Sequence, residues 1–337
     1  MNQTFLPLRR GAHVARALLL LTLLLIFAAC GPKMRAAPEF EATLSQSAIE
    51  RGRYLSQHVA LCSDCHSPRN FEEPGFPAIA GQEYSGGFYG EREDLLVDGK
   101  KLPISHLQAS NISQHHEHGI GRWTDGEIAR AIREGVNKQG KALFPMMPYP
   151  DYRYMSDADM LAIIAYLRSI EPREGEAAGV KVKFPLSLIM RTIPKPLDGP
   201  VTASFSDEVE RGAYLTRMAG CTHCHSPMVR GTPIKGKEFS GGAVHQFEGR
   251  LAGMGMSVGT NITPDPETGI GNVTDEQWLT MFREGVGIDG RPMNGFMPWV
   301  FYRGMTDEDL LAILAYLRTY PPIHNDARGN MMAQYSD

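Results

Sequence analysis

The 337-residue sequence predicts an all-α protein made of two similar domains in tandem. First, residues 124–170 align without a gap with residues 274–320, and 21 of the 47 positions are identical. Second, both copies carry helix-start signals and apolar residues at helical spacing. Third, no stretch alternates well between apolar and polar residues, so the segments rich in Gly and Pro between the helices are predicted to be loops.

The helices of each repeat can be assigned in order. The first helix contains "ERGRYL" (residues 50–55) or "ERGAYL" (210–215) and ends near a cysteine motif. The middle and last helices begin at Thr or Ser followed three residues later by Glu, Gln or Asp, which is an N-terminal capping pattern. These pairs are Thr124 and Glu127, Ser156 and Asp159, Thr274 and Gln277, and Thr306 and Asp309.

Each repeat carries one Cys-x-x-Cys-His motif, followed in both cases by Ser-Pro. The residues are Cys62, Cys65 and His66 in the first repeat, and Cys221, Cys224 and His225 in the second. Two thiols can add to the two vinyl groups of a haem, and the adjacent imidazole then ligates the iron. The pattern therefore predicts two covalently attached haem c groups.

A four-cysteine zinc site or a thiol redox pair is the alternative interpretation of these cysteines. Paired zinc knuckles usually lie much closer together than the 155 residues that separate Cys65 from Cys221. Each pair also has its own copy of the surrounding domain, which favours haem.

The repeat boundaries and composition divide the chain into six segments. They are a signal peptide of the lipoprotein type (1–29), a tether (30–45), the first domain (46–171), an ordered connector with five prolines (172–205), the second domain (206–322) and a C-terminal tail (323–337).

The N-terminal segment predicts export and a lipid anchor. Three arginines precede a 13-residue apolar run at 17–29, which is too short to span a bilayer and has the length of a signal-peptide core. The run ends in "FAACGP", which resembles a bacterial lipobox, so Cys30 is the predicted lipidated residue. An ordinary signal peptide that leaves Cys30 as a stray thiol is the alternative. We expect the mature chain at the periplasmic face of a bacterial membrane.

The order of helix, CxxCH, long loops, helix, Met-Pro and helix resembles a class I cytochrome c domain, twice over, across about 46–171 and 206–322. The stretches at 261–278 and 297–318 are similar to cytochrome c subunits of membrane-bound dehydrogenases, such as those of alcohol and gluconate oxidation. The resemblance implies an electron carrier with a few helices around each haem. Those subunits usually carry three haem domains, whereas this chain has two motifs.

The sixth iron ligand is the remaining position to assign. Met147 and Met297 are the methionines that both repeats share next to a proline, and in the resembling family the ligand often sits in such a pair. They are predicted to ligate iron, with a gap-filling role in the core as the alternative. Met155 and Met305 are also shared and are predicted core residues. Possible alternative ligands, none shared between repeats, are His58, His106 and His245.

One histidine cluster lies outside the repeated pattern. Its residues are His115, His116 and His118, and the second repeat has no histidine there. We interpret it as part of a solvated loop, with a surface copper or zinc site as the alternative.

These features predict a lipid-anchored di-haem protein that relays single electrons. Its expected donor is a dehydrogenase or a quinol-oxidising complex, and its expected acceptor is a terminal oxidase or a small cytochrome. The alternative is a di-haem enzyme such as a peroxidase, which needs one iron open to substrate. The formal net charge of −4 gives no indication of nucleic-acid binding.

Overall fold

The computed structural model describes residues 36–91, 96–97, 100–101, 104–175, 179–229, 232–246 and 256–334. The predicted signal segment and Cys30 lie outside these residues. Within the described part of the chain, none of the helices combines the length and the apolar character needed to cross a bilayer.

Helices dominate the described structure, and the same order of helices occurs in both repeats. The first repeat contains α1 (Gln46–Tyr54), a π-helical turn (Leu55–Val59), α2 (Cys62–His66), α3 (Asp125–Glu134), α4 (Tyr149–Tyr152) and α5 (Asp157–Ser169). The connector contains α6 (Leu186–Ile189) and a 3₁₀ turn (Met190–Thr192). The second repeat contains α7 (Glu208–Met218), α8 (Cys221–His225), α9 (Asp275–Glu284), α10 (Trp299–Tyr302) and α11 (Asp307–Leu317), and α12 (Ala327–Gln334) follows.

Short antiparallel strands correct the assignment of the intervening segments to loops. They are β1 (Gly87–Glu91), β2 (Leu96–Val97), β3 (Lys100–Lys101), β4 (Ile104–Ala109), β5 (Lys181–Val182), β6 (Met228–Val229), β7 (Thr232–Pro233), β8 (Val244–Gln246) and β9 (Met256–Val258). β4 pairs with both β1 and β5, while β2–β3, β6–β7 and β8–β9 form two-stranded pairs. Most have only two or three residues, which is too short for an alternating pattern to be recognised. β1 has an irregular register between Phe88 and Gly90, which also obscures alternation.

The predicted helix starts are confirmed. Thr124 and Thr274 each form a complete capping box with the residue three positions later. Ser156 and Thr306 each accept a hydrogen bond from the backbone N–H of the aspartate three residues on. Each cap satisfies an N–H group that the first turn of the helix leaves without a helical partner.

The first and last helices of each repeat cross at a glycine. A Cβ atom added at Gly52 of α1 would overlap the carbonyl oxygen of Ala162 in α5. A Cβ atom added at Gly212 of α7 would overlap the carbonyl oxygen of Ala312 in α11 in the same way. The absence of a side chain at these two positions therefore allows the helix backbones to touch.

Apolar side chains from both repeats form one continuous core. The predicted apolar face of α5, including Met160 and Ile163, is fully buried in it, and so is Leu310 of α11. Met155 and Met305 are 1 % and 2 % exposed, which confirms them as core residues. The two repeats consequently pack against each other.

Two equivalent tyrosines reach across the boundary between the repeats. Tyr54 of α1 donates a hydrogen bond to the carboxylate of Asp309 in α11. Tyr214 of α7 donates to the carboxylate of Asp159 in α5, with 2.8 Å between the oxygens. Each hydroxyl also accepts a backbone N–H at 3.2 Å from the capping residue of that helix. Arg51 and Arg211 pair with the same two carboxylates from within each repeat, at 3.0 and 2.5 Å. We call this arrangement the reciprocal tyrosine contacts.

The connector packs mainly along the first repeat. β5 extends the sheet of β1 and β4, and the backbone N–H of Asp157 donates to the carbonyl of Val201 at 2.8 Å. The ring of Phe205, at the end of the connector, lies 5.3 Å from that of Tyr214 in the second repeat. Four large apolar side chains of the connector are exposed, namely Phe184, Leu188, Ile189 and Phe205.

Candidate haem-attachment sites

Each CxxCH motif forms a separate five-residue helix. The residue before it adopts a left-handed conformation, with φ of 49° at Leu61 before α2 and 68° at Gly220 before α8. This turn ends the preceding helical segment and starts the short one. Because residues three apart lie on one face of a helix, the two cysteines of each motif face the same way.

Both motif histidines are oriented by a backbone carbonyl. Nδ1 of His66 donates to the carbonyl of Ser110 at 2.6 Å, and Nδ1 of His225 donates to the carbonyl of Thr260 at 2.8 Å. A carbonyl only accepts, so the ring proton lies on Nδ1 and the Nε2 lone pair is available to a metal. Burial lowers the pKa of both imidazoles, which keeps them neutral at physiological pH. Both histidines therefore fit the role of an axial ligand to haem iron.

Buried asparagines hold the loops that supply these carbonyls. Oδ1 of Asn261 accepts from the backbone N–H and the hydroxyl of Thr263, and Nδ2 donates to the carbonyl of Ile323 at 2.7 Å. Asn111 makes the equivalent bonds to Ser113 and to the carbonyl of Arg173. Neither asparagine is among the site residues predicted from the sequence. The shared triplet Asn-Ile-Ser/Thr at 111–113 and 261–263 is the signal that could have found them.

A second short stretch recurs in both repeats, "YSGG" at 84–87 and "FSGG" at 239–242. In each repeat it forms hydrogen bonds with the Cys-His-Ser-Pro end of the motif. The hydroxyl of Ser226, which is fully buried, accepts from the backbone N–H of Phe239, and the N–H of Gly241 donates to the carbonyl of His225 at 2.7 Å. Ser67 accepts from Tyr84 in the first repeat, and Gly86 donates to the carbonyl of His66. These glycines therefore support the motif helices.

The motif thiols are partly buried and weakly acidic. Burial raises the pKa of Cys62, that of Cys221 to about 12 and that of Cys224 to about 11. Within the described residues, three ligand atoms of His, Cys, Asp or Glu side chains come within 4.8 Å of one another at His115, His118 and Glu174. No cysteine belongs to that group. This geometry favours thioether attachment over a shared zinc site.

The two predicted methionine ligands occupy equivalent positions. Met147 directly precedes Pro148, which caps α4, and Met297 directly precedes Pro298, which caps α10. Both side chains are partly buried and pack at the edge of the core. They differ in this from the fully buried Met155 and Met305. The assignment of Met147 and Met297 as iron ligands stays a prediction.

The two motifs lie next to each other across the boundary between the repeats. The hydroxyls of Tyr152 and Tyr302 donate to the carbonyls of Ala60 and Ala219, just before α2 and α8. Burial, then the nearby thiols of both motifs, hold the pKa of Tyr302 well above its usual range. Nε2 of His223, inside the second motif, lies 2.6 Å from the carboxylate of Asp151 in α4.

The histidine cluster comes together only in part. The rings of His115 and His118 stack with their centroids 5.0 Å apart, and Nε2 of His115 lies 3.8 Å from the carboxylate of Glu174. Nδ1 of His115 accepts the backbone N–H groups of Glu117 and His118. The neutral ring then carries its proton on Nε2, which points a donor rather than a lone pair at Glu174. The site is thus not preorganised for a metal through this nitrogen.

The three alternative histidine ligands have different positions. Nδ1 of His58 lies 2.8 Å from the carbonyl of Phe301, at the boundary between the repeats. The side chain of His106 lies outside the described part of the structure. The ring of His245 lies 4.6 Å from that of Phe296, beside Met297, and its buried Nε2 has no hydrogen-bond partner among the described residues.

Comparison with known proteins agrees with this geometry. Residues 209–321 match the Cytochrome c family model. The chain is 29 % identical over 305 residues to the cytochrome c subunit of a quinone alcohol dehydrogenase from Gluconacetobacter polyoxogenes, covering 87 % of this chain and 59 % of that protein. It is 28 % identical over 283 residues to the cytochrome c subunit of a gluconate 2-dehydrogenase from Pantoea cypripedii, covering 80 % and 59 %.

A third relative is a di-haem c-type cytochrome from Cereibacter sphaeroides, which is 27 % identical over 246 residues, covering 69 % of this chain and 79 % of that protein. The chain thus spans about three fifths of the dehydrogenase subunits (59 %) and most of the di-haem protein. The resemblance seen in the sequence is confirmed: residues 209–321 form a cytochrome c domain, and the chain as a whole is similar to cytochrome c subunits of dehydrogenases and to a di-haem cytochrome c.

Proposed function

We propose that this chain is a di-haem electron-transfer protein that serves a dehydrogenase complex. The observation that carries the proposal is the pair of equivalent CxxCH helices, in each of which a neutral histidine keeps its Nε2 lone pair available. The names of the relatives support the dehydrogenase partner. That these relatives are named as cytochrome c subunits also favours a carrier over the peroxidase alternative.

Each haem would be held by two cysteines, one histidine and one methionine of its own repeat. Cys62 and Cys65, or Cys221 and Cys224, would form the thioether links, and the histidine of each motif would ligate the iron. Haem c supplies reversible one-electron chemistry when it is bound. Met147 and Met297 would supply the second protein ligand to each iron, because a thioether stabilises the ferrous state. The test is the far-red Met–iron absorption band, which should disappear from one haem in each Met→Ala variant.

The arrangement of the two motifs suits a relay inside one molecule. His223 and Asp151 join the second motif to the helix that follows Met147, and buried tyrosines occupy the region between the motifs. The surrounding core excludes water, because Tyr152 and Tyr302 are each 5 % exposed. An electron passing from one site to the other would therefore cross a region from which bulk water is excluded.

The first prediction concerns the number of haems. Denatured protein from a host competent in cytochrome c maturation should have the mass of the chain plus two haems. The double variant C221S/C224S should retain one haem, and C62S/C65S should retain the other. Intact mass spectrometry measures this directly. A wild-type mass with zero or one haem would overturn the di-haem proposal.

We further propose that Cys30 carries a lipid that anchors the protein at the periplasmic face of a bacterial membrane. The support is the lipobox-like "FAACGP" after the apolar run. Cys30→Ser should release the protein into the soluble periplasmic fraction with both haems intact, as measured by fractionation and haem staining. The C221S/C224S variant, which keeps Cys30, should remain with the membranes. Unchanged membrane association of Cys30→Ser would mean that a retained signal helix or tight binding to a membrane complex, and not the lipid, holds the protein.

The partners follow from the same proposal. A dehydrogenase or quinol-oxidising complex would deliver electrons, and a terminal oxidase or small cytochrome would accept them. Affinity purification of the tagged wild-type chain from solubilised membranes tests the first of these. Recovery of the chain without any dehydrogenase or quinol-oxidising subunit would count against that partner.

A further inference from the structure

His245 lies between two segments of the second site. One is the hairpin that leads to Thr260, whose carbonyl orients His225, and the other is the loop that carries Met297. His245 is the central residue of β8 and pairs with Ser257 of β9, and β9 runs directly into Gly259 and Thr260. The carbonyl of Thr260 orients His225. On its other side, the ring of His245 packs on Phe296 at 4.6 Å, with an angle of 42° between the rings.

The imidazole of His245 has an unused coordinating atom. Its Nε2 is buried, and the described residues offer it no hydrogen bond. A buried polar atom without a partner is costly, so it usually indicates a ligand, an ion or a water at that place. Burial lowers the pKa of His245 to about 4.

The first repeat has no counterpart to this histidine. Ser257 aligns with Leu107 at the offset of 150 residues that relates the repeats, and Leu107 pairs with Gly90. Gly90 therefore occupies the strand position that His245 occupies in the second repeat. At this strand position, only the second repeat offers an imidazole.

We propose that His245 is a substitute axial ligand for the haem iron of the second repeat, which coordinates through Nε2 when Met297 is withdrawn. The proposal rests on the di-haem function proposed above. A second histidine in place of a thioether lowers the reduction potential of the haem. The second haem would then have two ligation states with different reduction potentials. The first haem, whose repeat has Gly90 at this position, would have one.

The experiment uses each repeat as the control for the other. In Met147→Ala, the first haem should become high-spin and bind carbon monoxide readily in the ferrous state. In Met297→Ala, the second haem should stay low-spin, because His245 occupies the open position. Its affinity for carbon monoxide should be about tenfold or more weaker, since the ligand binds only the fraction of molecules in which His245 is dissociated.

Adding His245→Phe to Met297→Ala should make the second haem high-spin. Its affinity for carbon monoxide should then equal that of the first haem in Met147→Ala. The proposal is overturned if Met297→Ala is high-spin and binds carbon monoxide as tightly as Met147→Ala does. Should an alanine variant misfold, Met147→Leu and Met297→Leu keep the side-chain volume and cannot ligate iron. Failure of the di-haem function would be seen separately, as the absence of covalent haem in the wild-type mass.

Discussion

Alanine at Gly212 is expected to destabilise the protein by about 3 kcal/mol, the upper part of the range for overpacking a core. A Cβ atom there would overlap the carbonyl oxygen of Ala312, and a backbone atom of a packed helix cannot rotate away as a side chain would. Because Gly52 has the same relation to Ala162, Gly52→Ala should have a similar effect. The measurement is the midpoint of urea unfolding of the haem-loaded protein.

Gly199→Ala is the matched control. Gly199 has open space around the position of a Cβ atom, so its substitution should leave the midpoint nearly unchanged. If Gly212→Ala and Gly199→Ala unfolded at the same urea concentration, the close crossing of α7 and α11 would be refuted.

Asn261→Ala is expected to cost about 2–3 kcal/mol of stability, because it leaves buried polar groups around Thr263 without a partner. Its amide joins the loop after β9 to the carbonyl of Ile323, and the neighbouring carbonyl of Thr260 orients His225. Loosening this loop should therefore also shift the reduction potential of the second haem and leave that of the first unchanged. Urea unfolding and a potentiometric titration measure the two effects.

Asn272→Ala provides the comparison for this variant. Asn272 is exposed and makes one hydrogen bond, to the carbonyl of Pro266. Its substitution should change neither stability nor potential appreciably. A variant at Asn261 that behaved like the one at Asn272 would show that the buried amide does not position His225.

The sequence predicted the helices well because their starts depend on local patterns. A Thr with Glu or Gln three residues later satisfies the first N–H groups of a helix wherever it occurs, so Thr124 and Thr274 could be assigned as caps. The CxxCH spacing places its three side chains on one short helix without help from the rest of the chain.

The features that escaped prediction depend on contacts between distant residues. β4 pairs with β5 of the connector, where Ile104 lies opposite Val182, and the six residues of β4 carry no signal of that partner. In the sequence, Asn261 is an ordinary polar loop residue, because its partner, the carbonyl of Ile323, is 62 residues away in the chain. His245 could be named only as one of several unshared histidines, because its position beside Phe296 requires the folded hairpin.

The reciprocal tyrosine contacts make this single chain resemble a two-fold symmetric homodimer. Each half gives a tyrosine hydroxyl and receives one at an aspartate, so the same surface serves both sides, as in isologous interfaces between identical subunits. In two separate polypeptides, the same contact would persist only at protein concentrations above its dissociation constant. A connector of about thirty residues holds the halves at an effective concentration in the millimolar range. Covalent linkage thus keeps the two halves associated even if their mutual affinity is low. It also allows the halves to differ in sequence at equivalent positions, as at Gly90 and His245.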